Sequence, residues 1–381
     1  MCSKQFIVVL LLTTFFVSCK KEKSSLSPIQ IALNSDSPNI KRVMDSLEKH
    51  EIQIKYTQIE HTKDSVTFKD FDFQVDTIKY FYPASTVKLP VSVLALEKLN
   101  TIDKFDMNTR FYVEGDTIET TIAKEISKIF AVSDNEAYNR LFEFLGQDEI
   151  NQRLAERGIK NVRISHRVST PNSDELTTKP LIIYINDSTT QLREKIINKT
   201  IQPLSLNAIK KGIAYYDEDG LLIKEPFDFS LKNYYSIEAQ HEVLKRIIFP
   251  ENFTKAQQFK ISKEQRGFLL KAMHTLPKEL GYPTDEYYDS YVKFFMFGDS
   301  HEPLPKTIEI YNKVGYAYGT LTDCAYIKDT ENKIDFLITA TILVNKNKKF
   351  NDNTYEYDTI GIPFLAELGR ELYKQELQRK K

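Results

Sequence analysis

The spacing of apolar and polar residues changes period four times along the chain. From 40 to 49 the apolar positions fall at helical spacing. From 51 to 60 they alternate, with Ile52, Ile54, Tyr56 and Gln58 in phase, and 65–74 alternates again. One helix and two strands are therefore expected first. Val91, Val93, Leu94, Leu96 and Leu99 then continue an apolar, helix-length run behind Pro83 and Ala84. Further amphipathic helices are expected over 120–130, 137–145, 236–248 and 262–273. Between them, 180–235 is rich in Asn, Asp, Thr and Lys, with a turn at Asp217-Glu218-Asp219-Gly220. The stretch 282–305 is broken by Pro283, Gly298, Pro303 and Pro305 and reads as loop. Strands over 308–313, 322–328 and 334–345 follow. A closing helix over 359–378 buries Ile360, Phe364, Leu365, Leu368 and Leu372. This order predicts an α/β (α+β) architecture. One antiparallel sheet comes from both chain ends, helices cover its faces, and a mostly helical subdomain, about 85–300, is inserted.

The start of the chain departs from this pattern. Residues 6–17 are apolar apart from Thr13 and Thr14, follow Lys4, and close in Phe16-Val17-Ser18-Cys19. The run is short for a membrane span and reads as a signal-peptide core. A Cys behind a small residue is similar to a bacterial lipobox, with Phe16 where that motif carries Leu; the competing reading is an ordinary secretory signal. On the lipobox reading 1–18 is removed, Cys19 is lipidated, 19–37 is a flexible tether, and the domain spans 38–378. The protein is then exported and held to a bacterial membrane by lipid, on a periplasmic or cell-surface face. Cys2 leaves with the signal, so Cys324 stands alone without an intrachain disulfide, as a small buried residue in a strand. A net charge of −1 gives no reason to expect a nucleic-acid partner. The histidines at 50, 61, 166, 241, 274 and 301 show no metal-ligand spacing, so no metal or cofactor is expected, and the protein is read as a monomer.

Candidate chemistry begins at Ser85-Thr86-Val87-Lys88. On a helix, residues three apart share a face, so the Lys88 amine can reach the Ser85 hydroxyl. The helix start adds free N–H groups where an oxyanion would form. The spacing alone is common: it recurs at Ser18/Lys21, Ser46/Lys49 and Ser290/Lys293. Ser133-Asp134-Asn135-Glu136, taken by itself, reads as a capping box with Ser133 as the cap and Glu136 closing it.

Together, Ser85-Thr86-Val87-Lys88, Ser133-Asp134-Asn135 and Lys313-Val314-Gly315 stand in the order known as the signature of class A β-lactamases and penicillin-binding proteins. The flanks agree, from Thr121 through Phe130 to Leu145-Gly146, and at Tyr318-Gly319-Thr320. The chain resembles that superfamily over about 38–378. The resemblance implies roles. Ser85 is the acylated nucleophile and Lys88 its proton acceptor. Ser133 relays a proton to the leaving nitrogen. Asn135 binds the substrate amide and holds Lys88, and Lys313 attracts a carboxylate. Gly315, Tyr316 and Tyr318 border the substrate, with the Ser85 and Tyr316 N–H groups as the oxyanion hole.

Two departures matter. Val314 replaces a Ser or Thr whose hydroxyl would bond the carboxylate. Such a bond is worth about 1.5–3 kcal/mol, roughly tenfold to a hundredfold in affinity. In place of an Arg-x-Glu-Pro loop stands His166-Arg167-Val168-Ser169-Thr170-Pro171-Asn172, without a Glu. Asp174, Glu175 and His166 are the candidates for a deacylation base. The two carboxylates read more simply as solvated loop residues. The implied activity is opening of β-lactams through a Ser85 acyl-enzyme with slow or atypical deacylation. The alternatives are a D-alanyl-D-alanine peptidase or penicillin-binding protein acting on cell-wall peptide, and a non-catalytic binding protein.

Overall fold

The computed structural model describes residues 26–380. The signal segment and Cys19 lie outside the described residues. Helix α1 (Pro28–Leu33) starts at a capping box, in which Ser27 Oγ accepts from the Gln30 N–H and the Gln30 side chain returns the bond. Ile29, Ala32 and Leu33 are buried. The tether expected to run to residue 37 is thus interrupted by a packed helix from 28 onward. Helix α2 (Pro38–Met44) follows and buries Ile40 and Val43.

Five strands form one antiparallel sheet: β1 (Gln53–His61), β2 (Val66–Phe73), β3 (Ile308–Ala317), β4 (Thr320–Asp329) and β5 (Ile334–Leu343). Their order is β3-β4-β5-β1-β2, so β5 from the end of the chain pairs β1 from its beginning, with Gln53 opposite Thr341. This is the sheet drawn from both ends that the alternating segments predict. β3 is an edge strand and continues four residues past the expected 308–313, which carries Lys313 through Ala317 along the sheet margin.

Helix α3 (Lys88–Leu99) is the centre of the inserted part. Every residue in it is buried, which is why its sequence is apolar all round. Helices α4 (Ile122–Val132), α5 (Asn135–Leu145) and α6 (Gln147–Glu156) surround it. Helix α7 (Ile237–Ile248) packs on the sheet and places Val243 and Leu244 in the same apolar cluster as Leu94, Cys324 and Leu337. Helix α8 (Lys263–His274) bridges α4 and β3. The closing helix α9 (Ile362–Arg379) covers the opposite face with α1 and α2, joining Phe364 and Leu368 to Ile54, Val314 and Ile338.

The insertion is less helical than expected. The strand Leu181–Asn186 pairs with Thr189–Arg193 and with Phe111–Val113, and two-residue pairings link Lys210–Lys211 to Phe227–Asp228. Tyr80, Tyr82, Phe229, Tyr234 and Phe350 form a separate aromatic cluster between this segment and the start of α3.

Candidate active site

Ser85 lies in a tight turn, Ala84–Val87, that runs directly into α3. The Thr86 N–H and hydroxyl both donate to the Pro83 carbonyl, at 3.2 and 2.7 Å. Ala84 adopts a left-handed φ of 45°, a conformation that costs a side-chain-bearing residue about 1–3 kcal/mol. Strain is thus stored one residue before the candidate nucleophile, which is half-buried. Edge strand β3 lies against this turn. A Cβ on Gly315 would meet Pro83 O at 2.7 Å, Ser85 N at 2.8 Å and Thr86 N at 3.0 Å. Only glycine permits the approach, and it sets Tyr316, 55% exposed, beside Ser85.

Lys88 is buried and meets three oxygens. Its Nζ donates to Ser133 O at 2.6 Å and Asn135 Oδ1 at 2.7 Å, and lies 3.4 Å from Ser133 Oγ. Burial brings its pKa down to about 7, opposed by the charge of Asp134. As a neutral amine, Lys88 satisfies the two short contacts with its two N–H groups and keeps a lone pair.

The capping box expected at Ser133 does not form. Asp134 caps α5 instead, its Oδ1 accepting from the Ala137 N–H at 2.8 Å. Ser133 ends α4 in the left-handed conformation, φ 58°. Its hydroxyl is free of backbone duty and accepts from Lys313 Nζ at 2.8 Å. Lys313 also donates to Val314 O at 2.9 Å. Burial, with Lys88 next, holds the Lys313 pKa well below the ordinary lysine value. Ser133 therefore stands between two buried lysines, as a proton relay requires.

The loop after α6 is pinned to α5. Arg167 grips Glu143 at 2.5 and 3.0 Å and donates to the Glu175 and Thr177 carbonyls. Asn139 bonds both the N–H and the carbonyl of Val168. This docking presents Ser169, whose Oγ accepts from Asn135 Nδ2 at 3.0 Å. The sequence alone does not single out Ser169, yet it is two residues past the Arg, where the resemblance expects a Glu.

Of the remaining candidates, Asp174 and Glu175 are exposed. His166 is buried. Its Nε2 accepts from the Asn233 N–H at 3.1 Å, and its Nδ1 meets Arg167 O at 2.5 Å. Burial lowers its pKa to about 4. With both nitrogens occupied, His166 is a structural residue and the expectation of a base there is corrected. Tyr318 is also engaged. Its ring meets Tyr82 and Phe229 edge-on at 4.9 and 5.3 Å, so it belongs to an aromatic wall. Val314 is 1% exposed and turned into the core under α9. Among the described residues, no group of His, Cys, Asp and Glu is placed to hold a metal ion.

A family model described as "Beta-lactamase enzyme family" matches residues 38–375. The fold is similar to that of a β-lactamase from Desulfarculus baarsii (13% identity, TM-score 0.52, covering 91% of this chain and 99% of that one). It is also similar to a β-lactamase from Sphaerobacter thermophilus (13% identity, TM-score 0.50, 88% and 94%). A structure titled PBP-A matches at 15% identity and TM-score 0.50, covering 91% and 95%. No curated protein sequence matches the chain.

Proposed function

The chain belongs to the β-lactamase enzyme family, and from that premise we propose that Ser85 opens β-lactams by acylation and releases the product slowly. The steps follow from the site. Lys88, as the free amine, takes the Ser85 hydroxyl proton while Oγ bonds to the lactam carbonyl carbon. The Ser85 and Tyr316 N–H groups hold the resulting oxyanion. As the carbonyl reforms, the C–N bond breaks and the nitrogen takes the Ser133 proton, which Lys313 or the Lys88 ammonium replaces. The third Lys313 N–H is left for a substrate carboxylate.

One observation carries the slow release. The bonded series Lys88–Asn135–Ser169 ends in a hydroxyl, and no carboxylate bonds Lys88, Asn135 or Ser169 among the described residues. A neutral hydroxyl activates water poorly at neutral pH, so the ester outlasts its formation. The test is intact mass of the purified protein after incubation with a penicillin and a chromogenic cephalosporin, beside Ser85→Ala. A lasting adduct absent from the variant is the expected result. Rapid colour with no lasting adduct would refute slow release.

A second reading, acyl transfer from D-alanyl-D-alanine peptide, is favoured by the exposed Tyr316 on an edge strand, to which an extended peptide can add as a strand. Release of D-alanine from a cell-wall pentapeptide distinguishes it. Export and anchoring through Cys19 belong to the same proposal, tested by lipid labelling that Cys19→Ala abolishes.

A further inference from the structure

The stretch 282–305, expected as loop, is tied down at several points. The Ser290 hydroxyl donates to the Ser300 carbonyl and closes the segment on itself. Buried Asp289 accepts from Lys278 Nζ at 2.7 Å and from the Leu304 N–H at 3.0 Å. Lys293, 1% exposed, joins the segment to the body. Its Nζ donates to Met273 O at 2.8 Å and to Asn312 Oδ1 on β3 at 2.7 Å. The Phe294 N–H donates to Asp323 on β4 at 3.1 Å.

This frame holds a run of aromatic rings. Tyr282 meets Tyr287 at 5.2 Å between centroids, Tyr287 meets Tyr291 at 4.9 Å, and Tyr291 meets Tyr288 at 5.9 Å. His301 stacks on Tyr288 at 3.9 Å and 21°. The four tyrosines are half-buried and His301 is exposed. Phe294 connects the run to the candidate site, its ring 6.3 Å from that of exposed Tyr316. Tyr316 packs in turn on Tyr357 at 5.4 Å, and its backbone N–H is a proposed oxyanion donor. At the other end, burial and then the charge of Asp134, which lies between Ser133 and Asn135, raise the Tyr282 pKa. The rings therefore form a rim along the Ser85 cleft.

The chemistry of the rim selects its ligand. A tyrosine offers an apolar face and a polar tip, and rings held in place lose little freedom on binding. Residues 279–292 include Glu279, Asp285, Glu286 and Asp289 and no Lys or Arg, and Asp285 and Glu286 are exposed. An anionic chain is repelled by such a surface. Residues 281–307 contain no strand, so they offer an extended peptide no backbone ladder; edge strand β3 does. Flat apolar faces beside phenol hydroxyls and carboxylates suit a neutral sugar. Its C–H faces lie on the rings and its hydroxyls donate to the carboxylates. We propose that the Tyr282–His301 rim is a glycan subsite, which takes the neutral sugar chain of a cell-wall substrate whose peptide reaches Ser85.

The inference deepens the peptide reading of the Ser85 site and rests on it, so the experiment reads the two apart. Chitotetraose, a neutral N-acetylglucosamine oligomer, is titrated by calorimetry into wild type and Ser85→Ala. Equal binding is expected in both. Tyr287→Ala and Tyr291→Ala should each weaken it at least about tenfold, and Tyr287→Phe, which keeps the ring, should retain most of the affinity. Tyr184→Ala removes a half-buried tyrosine paired with Tyr112 on the insertion and should change nothing. No binding to wild type, or an equal loss in Tyr184→Ala, overturns the proposal. D-Alanine release from a disaccharide pentapeptide is then compared with release from the sugar-free pentapeptide. The sugar-bearing substrate should be favoured at least about tenfold in kcat/KM, and Tyr287→Ala should erase the preference. Equal rates in wild type overturn the subsite. Release from neither, with chitotetraose still bound through Tyr287 and Tyr291, supports the sugar site and overturns peptide acyl transfer instead.

Discussion

Gly315 lies so close to Ser85 that a Cβ on it would stand 2.8 Å from the Ser85 backbone nitrogen. That nitrogen is one of the two proposed oxyanion donors, so the strand and the nucleophile turn are fitted to each other through a missing side chain. Gly315→Ala should push β3 from the turn and separate the two donors. Removal of one such donor costs about 10²–10³ in rate, and a loss of that order is expected in acylation followed by intact mass over time. Thermal stability should fall as well, by about 1–3 kcal/mol, because all three atoms that the Cβ would meet are backbone. A variant that acylates within a few-fold of wild type would refute the fit.

Ser133 combines a chemical and a conformational demand. Its left-handed φ of 58° is strain of about 1–2 kcal/mol that serine already bears and alanine keeps, whereas glycine relieves it. Ser133→Gly should therefore melt above Ser133→Ala. Both lose the hydroxyl between Lys88 and Lys313, and acylation should fall about 10²–10⁴-fold in each. Melting curves beside acylation rates check this pair. A glycine variant with a wild-type rate would remove Ser133 from the chemistry.

The same residue shows where sequence reasoning stops. Ser133 and Asp134 are both good caps, and local pattern favours the one followed three residues on by Glu136. The choice is made by Lys88 and Lys313, which lie far away in the chain and claim the Ser133 oxygens. Alternation located β1 and β2, and a helix-length apolar run located α3, which is buried all round. Periodicity ended β3 too early, since Gly315 to Gly319 carry turn-like residues. It missed α1 behind a Ser- and Pro-rich composition, although Ser27 and Gln30 were a visible cap. Residues 172–235 were opaque because their strands are short and pair remotely, as Lys349–Phe350 does with Ala214–Tyr216. Of the candidate site, Lys88, Ser133, Asn135 and Lys313 were legible from motifs and are joined by hydrogen bonds, and Gly315 packs on the Ser85 backbone. Ser169 was not, because its place beside Asn135 arises only from the docking of its loop on α5.

The buried lysines make stability depend on pH in a definite direction. Lys88 and Lys293 are lowered to about 7 and Lys98 to about 8 in the folded protein. Between those values and the unfolded value near 10.5, the unfolded chain binds more protons. Stability should therefore rise from pH 7 to 9, by at most about 1.4 kcal/mol per pH unit for each lysine. Below pH 7 that gain is absent. Lys88→Met should raise the melting temperature at pH 7, abolish acylation and flatten part of this slope. Acylation by wild type should rise through about pH 7, as Lys88 becomes a free amine. Urea melts across pH and a pH–rate profile measure the two effects, and a melting temperature that falls from pH 7 to 9 would contradict the first.

On the proposed function, the loop residue Ser169 sets how long the acyl-enzyme lasts. Its Oγ is 3.0 Å from Asn135, whose other end holds Lys88 at 2.7 Å, so a carboxylate at this position would join the same bonded series. Arg167 and Asn139 hold the loop by contacts that do not involve the Ser169 side chain, and Ser169 is exposed. A longer residue is therefore accommodated without repacking. Its left-handed φ of 49° is already carried by a residue with a Cβ, so glutamate adds no new strain of that kind. Ser169→Glu should supply a base for water. General-base catalysis contributes about 10²–10⁴-fold when well placed; even imperfect placement should shorten the adduct lifetime at least about tenfold. Ser169→Gln, with the same reach and no basicity, should leave the lifetime near wild type. The decay of the Ser85 adduct in the three proteins gives the answer. Equal decay with glutamate and glutamine would mean that water reaches the ester from another side of the cleft.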